Sequence, residues 1–437
     1  KMIVMERFKM FQVSENKRYF EKNGTPFFYL ADTCWSAFTN IEEKDWEYYI
    51  DYRKAQGFNV LQVNMLQQWD ASQTDLDIVP FKVNQDGSFD FNSYNEQYFE
   101  RASRMIAKAT EKGLTIALVL LWSNYIPDTW ASQMPVKQPG QLPKDMILDY
   151  VDKVMSLYDQ YEPIYVISGD TDFQTSEVIE EYYNVALNRV KKNNPNALTT
   201  LHIRGRENDI PRVLKENSNL DFYMYQSGHN SDFQSMSYEL AEAFYQKEPK
   251  RPLLNSEPCY EMMGYSRKVY GRFSREDVRK AAWQSVLSGA FSGVTYGAHG
   301  IWSWHESRLG FNTNIGEAFE TPYDWRDALH FKGAWDYAYI KEVIESYDLF
   351  DMVPSQELLK NDTSDIRVSK NESYIILYIP SNITIKLEGD YTSKRMMYID
   401  LENKEKMLPE SIYLDDLNIT RVSMHRFTRD ALLIIKK

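Results

Sequence analysis

One feature constrains this chain more than any other: from residue 26 to residue 347, short apolar runs alternate with longer segments of helical spacing. Eight runs rich in β-branched and aromatic residues occur, at 26–35, 59–66, 115–122, 163–170, 197–203, 221–228, 252–258 and 293–302. Helical segments follow them, such as IEEKDWEYYIDYRKAQG, which stops at Gly57. Strand–helix alternation of this kind reads as a parallel sheet. Eight strands fit a closed (β/α)8 TIM barrel better than an open doubly wound sheet, which usually has about six. Neither GxGxxG nor GxxxxGK[ST] follows any run, so the nucleotide-binding version lacks its fingerprint.

Beyond about residue 350 the pattern changes to short alternating runs, SYIILYIP, ITIKLEG, KRMMYID and ALLIIKK, separated by turn residues. The expected fold is therefore α/β: a barrel over 1–349 and an all-β sandwich over 350–437. Asn23-Gly24 signals a tight hairpin, expected to plug the bottom of the barrel.

Charge excludes several function classes. Lys plus Arg number 50 against 63 Asp plus Glu, a net charge of −13, and no basic stripe offsets it. Nucleic acid and anionic lipid are poor partners for such a surface, because neutralising phosphates needs clustered cations. No apolar run reaches about 18 residues, the length of a spanning helix. The opening KMIVMERFKM lacks the long apolar stretch of a signal peptide, which favours a cytoplasmic location unless a leader was removed. Cys34 and Cys259 are too far apart for a zinc pair and too few for a disulfide framework.

Barrel enzymes build their sites at the C-terminal ends of the strands. Here those ends are polar and aromatic: Asp32, Cys34 and Trp35 on the first, Asn64 and Gln67 on the second, Trp122 and Asn124 on the third. Asp170 and Asp172 end the fourth, His202 and Arg204 the fifth, Gln226 and His229 the sixth. Glu257, Tyr260 and Glu261 end the seventh, and the eighth brings Tyr296, His299, Trp302 and Trp304. A metal-dependent amidohydrolase would need HxH where the chain has Asp32-x-Cys34, and a Schiff-base aldolase would need a lysine on a strand, where none lies. NSEPCYE does not resemble a phosphate loop, and His202, His229 and His299 lack metal-site spacing. No metal or cofactor is called for.

What remains is a pair of carboxylates, at the ends of strands four and seven, among Trp, Tyr, Asn, Gln and His. That set suits glycoside hydrolysis: one carboxyl protonates the leaving oxygen and the other attacks the sugar or activates water. Aromatic faces pack on sugar C–H groups while amides and imidazoles bind hydroxyls. Aromatic residues make up 14% of the chain, and several of them fall at strand ends.

PFFYLADTCW, ISGD, MYQSGH, NSEPCYE and GVTYGAHGIWSW resemble, in this order, the motifs of the apiosidase-like glycoside hydrolases, a (β/α)8 family. The resemblance covers about 18–305, and the tail is similar in size and pattern to a C-terminal β-sandwich that members often carry. It implies removal of apiose, a branched pentofuranose, from side chains of pectic rhamnogalacturonan II. It further implies Asp170 and Glu257 as the catalytic pair, with Asp32, Trp35, Gln226, His229, Tyr260, Glu261, Tyr296 and Trp302 lining the sugar pocket. Asn64 and Trp122 join that lining from their strand ends. The chain departs from the family pattern at Ala31, Cys34 and Thr171-Asp172-Phe173, beside the subsite that selects the sugar.

The expected reaction is a retaining hydrolysis with Glu257 as nucleophile, Asp170 as general acid/base and Asp172 in reserve. The expected partner is an oligosaccharide or polysaccharide. Other roles stay open at this stage: a strand-end acid salt-bridged to Arg204 or Arg206, Asp32 holding His299 or a backbone amide, some of the tryptophans as packing, and a catalytically silent carbohydrate-binding barrel.

Overall fold

The computed structural model describes residues 11–135, 138–173, 176–311 and 319–437. The opening segment 1–10, read above for a leader, lies outside the described residues. Eight parallel strands form the central sheet: β1 Tyr29–Thr33, β2 Val60–Asn64, β3 Thr115–Trp122, β4 Ile164–Gly169, β5 Thr199–Thr200, β6 Tyr223–Gln226, β7 Leu253–Glu257 and β8 Gly293–Tyr296. Their order is β5-β4-β3-β2-β1-β8-β7-β6. The two outer strands meet through bonds that include Asp221 N–H to Thr199 O (3.1 Å), Thr200 Oγ1 to Phe222 O (2.9 Å) and Arg206 N–H to Gln226 O (3.4 Å). The sheet is thus a nearly closed barrel.

Helices α1 Glu43–Gln56, α2 Glu96–Glu111, α3 Ile147–Tyr158, α4 Glu177–Asn193, α5 Arg212–Lys215, α6 Met236–Tyr245, α7 Arg275–Val286 and α8 Gly333–Ser346 flank it. Gly57 ends α1 at φ 103°, with its N–H on the Arg53 and Lys54 carbonyls, as a left-handed helix stop requires. Burial on both sides explains why the strands are rich in apolar residues: every residue of β1, β2, β3, β4 and β7 is buried. Among the described residues no helix is long and apolar enough to cross a membrane.

The bottom of the barrel is sealed by the N-terminal strands Phe20–Lys22 and Thr25–Phe27, joined through Asn23 and Gly24, both at positive φ. Phe20 packs edge-on against Phe222, with ring centroids 4.9 Å apart, and Lys22 Nζ reaches Thr115 Oγ1 at 3.1 Å. A second hairpin, Phe81–Val83 with Phe89–Tyr94, sits in the connection after β2, where the sequence shows only a turn at Asp86-Gly87.

The C-terminal part has a six-stranded antiparallel sheet containing Arg367–Lys370, Tyr374–Ile379, Arg395–Asp400 and Ala431–Lys436. Facing it is a three-stranded sheet of Ile385–Glu388, Ser411–Leu414 and Ile419–Val422. Ile375, Leu377, Leu433 and Ile435 face the second sheet, while Ile376, Tyr378, Leu432 and Ile434 join the barrel's core. Both faces of the large sheet are therefore covered, one by its partner sheet and one by the barrel. Tyr378 stacks on Trp283 of α7 (6.5 Å, 12°), and Arg279 of α7 is bonded to Asp430.

Candidate active site

The strand register sets neighbouring strand ends at matching heights: Trp122 beside Gly169, Gln226 beside Glu257, Tyr296 beside Asp32. At this end opens a cavity of about 350 Å³, at the small end of the usual range for small-molecule sites. Asp170, Glu257, Trp35, Trp122, Gln226, His229, Tyr260 and Trp302, all singled out from sequence, line it.

Glu257 closes β7 and is 7% exposed. Two imidazoles grip its carboxylate: His229 Nε2 at 2.8 Å from Oε1 and His202 Nε2 at 3.3 Å from Oε2. Burial alone would raise its pKa, but those two contacts outweigh it and hold the group near 2, so it is ionised in ordinary buffers. His202 is itself fixed by Ser256 Oγ at 2.8 Å and sits against Trp35 and Trp122, with centroids at 5.3 and 5.8 Å. Tyr260 packs on His229 (4.6 Å) and accepts from Trp35 Nε1 (3.2 Å).

Asp170 follows β4 in a left-handed conformation, φ 47°. Gly169 makes that placement possible, since a Cβ there would lie 2.0 Å from Trp122 Cε3. Trp130 Nε1 donates to the Asp170 carbonyl at 2.7 Å and fixes the backbone from the other side. On the β8 side, Gly297 has a similar function: a Cβ would strike the Tyr260 ring at 2.0 Å.

Four expected lining residues lie elsewhere. Asp32 is fully buried beneath the cavity, bonded to Arg53 Nε (2.6 Å) and Tyr49 OH (2.7 Å) of α1, and so does not hold His299. Glu261 accepts from Tyr296 OH (2.5 Å) and from the Gly333 N–H at the start of α8 (2.9 Å), which ties β8 and α8 together. Asn64 is buried off the cavity, its backbone N–H on Trp35 O at 3.1 Å. His299 bridges Trp302 Nε1 (3.0 Å) and Glu320 O (2.8 Å), and Trp304 stacks on Trp325 (4.5 Å). Asp172 accepts from the Trp130 N–H (3.1 Å) and lies 3.8 Å from Arg204.

The sequence reading missed Gln68, Trp69, Asp70, Trp130, Arg206, Phe311 and Phe319, all of which line the cavity. Most sit on loops, where no periodicity marks an inward side chain. The run Gln67-Gln68-Trp69-Asp70 just past β2 carries the same mix of amide, indole and acid as the other strand ends and could have been noticed. Among the described residues no group of three His, Cys, Asp or Glu side chains is placed to hold a metal ion.

A barrel of this kind with a carboxylate-bearing, tryptophan-walled cavity at its strand ends belongs to the glycoside hydrolases by class. The chain matches the family described as "Apiosidase-like, catalytic domain" over residues 14–351, and it belongs to that family. A solved structure described as a glycoside hydrolase is 23% identical, covers 98% of this chain and 97% of its own, and superposes with a TM-score of 0.78. A glycoside hydrolase family 5 structure from Bacteroides vulgatus ATCC 8482 is 22% identical, with 98% and 93% covered and a TM-score of 0.79. At such identities these two structures speak for the fold. No curated protein sequence matches the chain.

Proposed function

We propose that this glycosidase removes a terminal sugar, apiose or another pentofuranose, from polysaccharide side chains by a two-carboxylate retaining mechanism. The observation that carries the proposal is Glu257: a buried carboxylate held ionised by His202 and His229 at the wall of a small aromatic cavity that Asp170 also lines. In this reading Glu257 attacks the anomeric carbon as the bond to the leaving oxygen breaks, and Asp170 gives that oxygen its proton. Water then enters, Asp170 takes its proton, and the sugar–Glu257 ester is cleaved. Holding Glu257 with imidazoles keeps it anionic beside an oxocarbenium-like transition state, which a fixed negative charge stabilises.

The cavity's modest volume favours one sugar residue at a chain end over a long bound chain. All its lining residues fall between Trp35 and Phe319, so the proposal places the chemistry in 1–349 and gives 350–437 a supporting role. A screen of aryl pentofuranosides, aryl hexosides and pectic oligosaccharides tests the substrate. Release of a single pentose supports the reading, and internal chain cleavage contradicts it. NMR of the first-formed product tests the stereochemistry, with an inverted anomer excluding Glu257 as nucleophile.

A further inference from the structure

The cavity holds three carboxyl groups, and the reading above uses two. The third is Asp70, two residues past Gln68 on the connection that leaves β2. Its Oδ1 is closed off from solvent and has no hydrogen-bond partner among the described residues, which for a buried polar atom is a cost unless a ligand completes it. The loop that carries it is braced. Trp69 packs edge-on against Trp130 at 5.7 Å and 76°, and the Trp130 indole holds the Asp170 carbonyl at 2.7 Å. The wall bearing Asp70 and the wall bearing Asp170 therefore support each other.

The other charged groups of the cavity leave Asp70 without a counter-ion. Arg204 is directed to Glu207 (3.0 Å) and Asp172 (3.8 Å), and Arg206 lies over the Phe233 ring at 5.1 Å. His229 is committed to Glu257. Glu257 itself acts on Asp70 as a like charge. Burial, then that repulsion, raise the Asp70 pKa to about 7 against the smaller pull of its own backbone N–H and Gln68. Asp70 is thus a hydrogen-bond donor under conditions where Glu257 can only accept.

We propose that Asp70 is a substrate-contacting residue, donating its carboxyl hydrogen to a neutral oxygen of the bound sugar, a hydroxyl or the ring oxygen, and so helping to select which sugar enters. This rests on the reading of the cavity as a glycosidase site. A buried donor discriminates strongly, because a sugar lacking the matching oxygen leaves it unpaired.

The test compares wild type, D70A and D70N, using an aryl pentofuranoside for kinetics and pectic oligosaccharides for binding by tryptophan fluorescence. D70A should raise KM and the oligosaccharide Kd about tenfold with a much smaller change in kcat. D70N keeps an N–H donor and should recover most of that loss. It should also abolish the rise in KM expected of wild type above about pH 7. Unchanged KM and Kd in D70A would overturn the proposal, and so would a fall in kcat at constant KM, which would make Asp70 a proton donor in the chemistry. If D70A fails to fold, the D70N pH profile decides: a KM rise that survives in D70N refutes the role. If wild type turns over no glycoside, the glycosidase reading fails, and the fluorescence Kd series still decides whether Asp70 contacts sugar. An absence of any sugar binding by wild type defeats both.

Discussion

Two of the buried groups of polar side chains in this molecule, one beneath the sandwich and one around the cavity, are completed differently. Beneath the sandwich, Arg279 binds Asp430 through Nε (2.9 Å) and Asp336 through Nη1 (2.9 Å). Arg275 adds bonds of 2.6 and 2.8 Å to Asp336, and Tyr378 OH donates to Asp430 at 3.0 Å. Around the cavity, Asp70 Oδ1, His229 Nδ1, Gln226 Oε1 and the indole nitrogens of Trp69 and Trp122 have no partner among the described residues. Folding normally satisfies buried polar atoms, so a closed network is explained by structure alone. Open atoms also occur away from the cavity, as at Trp283 Nε1 and His425, but at a cavity wall a ligand can supply the missing bonds. The difference separates residues that hold the molecule from residues that serve it, and it can be attacked from both sides.

The largest effect is expected on the open side. Glu257→Gln removes the charge but keeps the shape, and should lower kcat about 10³-fold or more while leaving the apparent melting temperature near wild type. Asp170→Asn should cost about 10²–10⁴-fold, typical of a lost general acid. Steady-state kinetics beside thermal melts check both, and retained turnover in either variant removes that residue from the mechanism. Arg279→Ala is the counterpart on the closed side. It strands Asp430 and part of the bonding of Asp336, and should cost about 3–5 kcal/mol by denaturant unfolding. Its kcat/KM, measured well below the unfolding transition, should stay within about twofold of wild type. A large kinetic loss in R279A would mean that the two networks are coupled.

Acid distinguishes them next. Burial, helped by the Arg272 charge, pushes the His299 pKa down to about 3, although its bond to the Glu320 carbonyl acts the other way. The unfolded chain, with an imidazole pKa of about 6.5, therefore takes up that proton first. Stability from a neutral His299 is complete above about pH 6.5 and drains away as pH falls toward 3. Glu257, depressed to about 2, adds a second loss that begins below the unfolded carboxylate value of about 4.3. Asp70, raised to about 7, adds stability as pH falls over much of the same range, so the test is the difference between two proteins: from about pH 6.5 to 3 the denaturant midpoint of His299→Gln should fall less than that of wild type. An equal slope in H299Q would show that this histidine is not held neutral by the fold.

The sequence made some of this legible for physical reasons. Parallel strands buried on both faces are apolar until they reach the cavity, so β1 to β8 and the acids at the ends of β4 and β7 stood out. What it could not show is where a strand-end side chain turns. Asp32, Glu261 and Tyr296 have the right residue types at the right ends, yet each turns to another partner: Asp32 to Arg53 and Tyr49 of α1, Glu261 to the start of α8, and Tyr296 to Glu261. Asp70 and Trp130 are on loops, whose conformation depends on contacts far away in the chain. The sandwich was recognisable as antiparallel, but ILYI and LLII are continuous apolar runs because the barrel covers the second face of their sheet, and a single strand does not announce its neighbour.

The smallest effect comes from deleting one hydroxyl on each side. Tyr378→Phe removes one of the donors to Asp430, whose carboxylate keeps Arg279, so the cost should be about 1 kcal/mol and a melting shift of about 1–3 °C with kinetics unchanged. Tyr260→Phe removes the hydroxyl that accepts from Trp35 and neighbours Glu257. Its partner groups border the cavity and can be rehydrated, so the melting shift should be no larger than that of Y378F. Activity should nonetheless fall about tenfold, because the hydroxyl helps place the carboxylate and an indole of the sugar wall. The pair isolates the same chemical change in a closed and an open network. If both tyrosines move stability alone, the cavity is only another packed region, and the contrast between the two networks disappears.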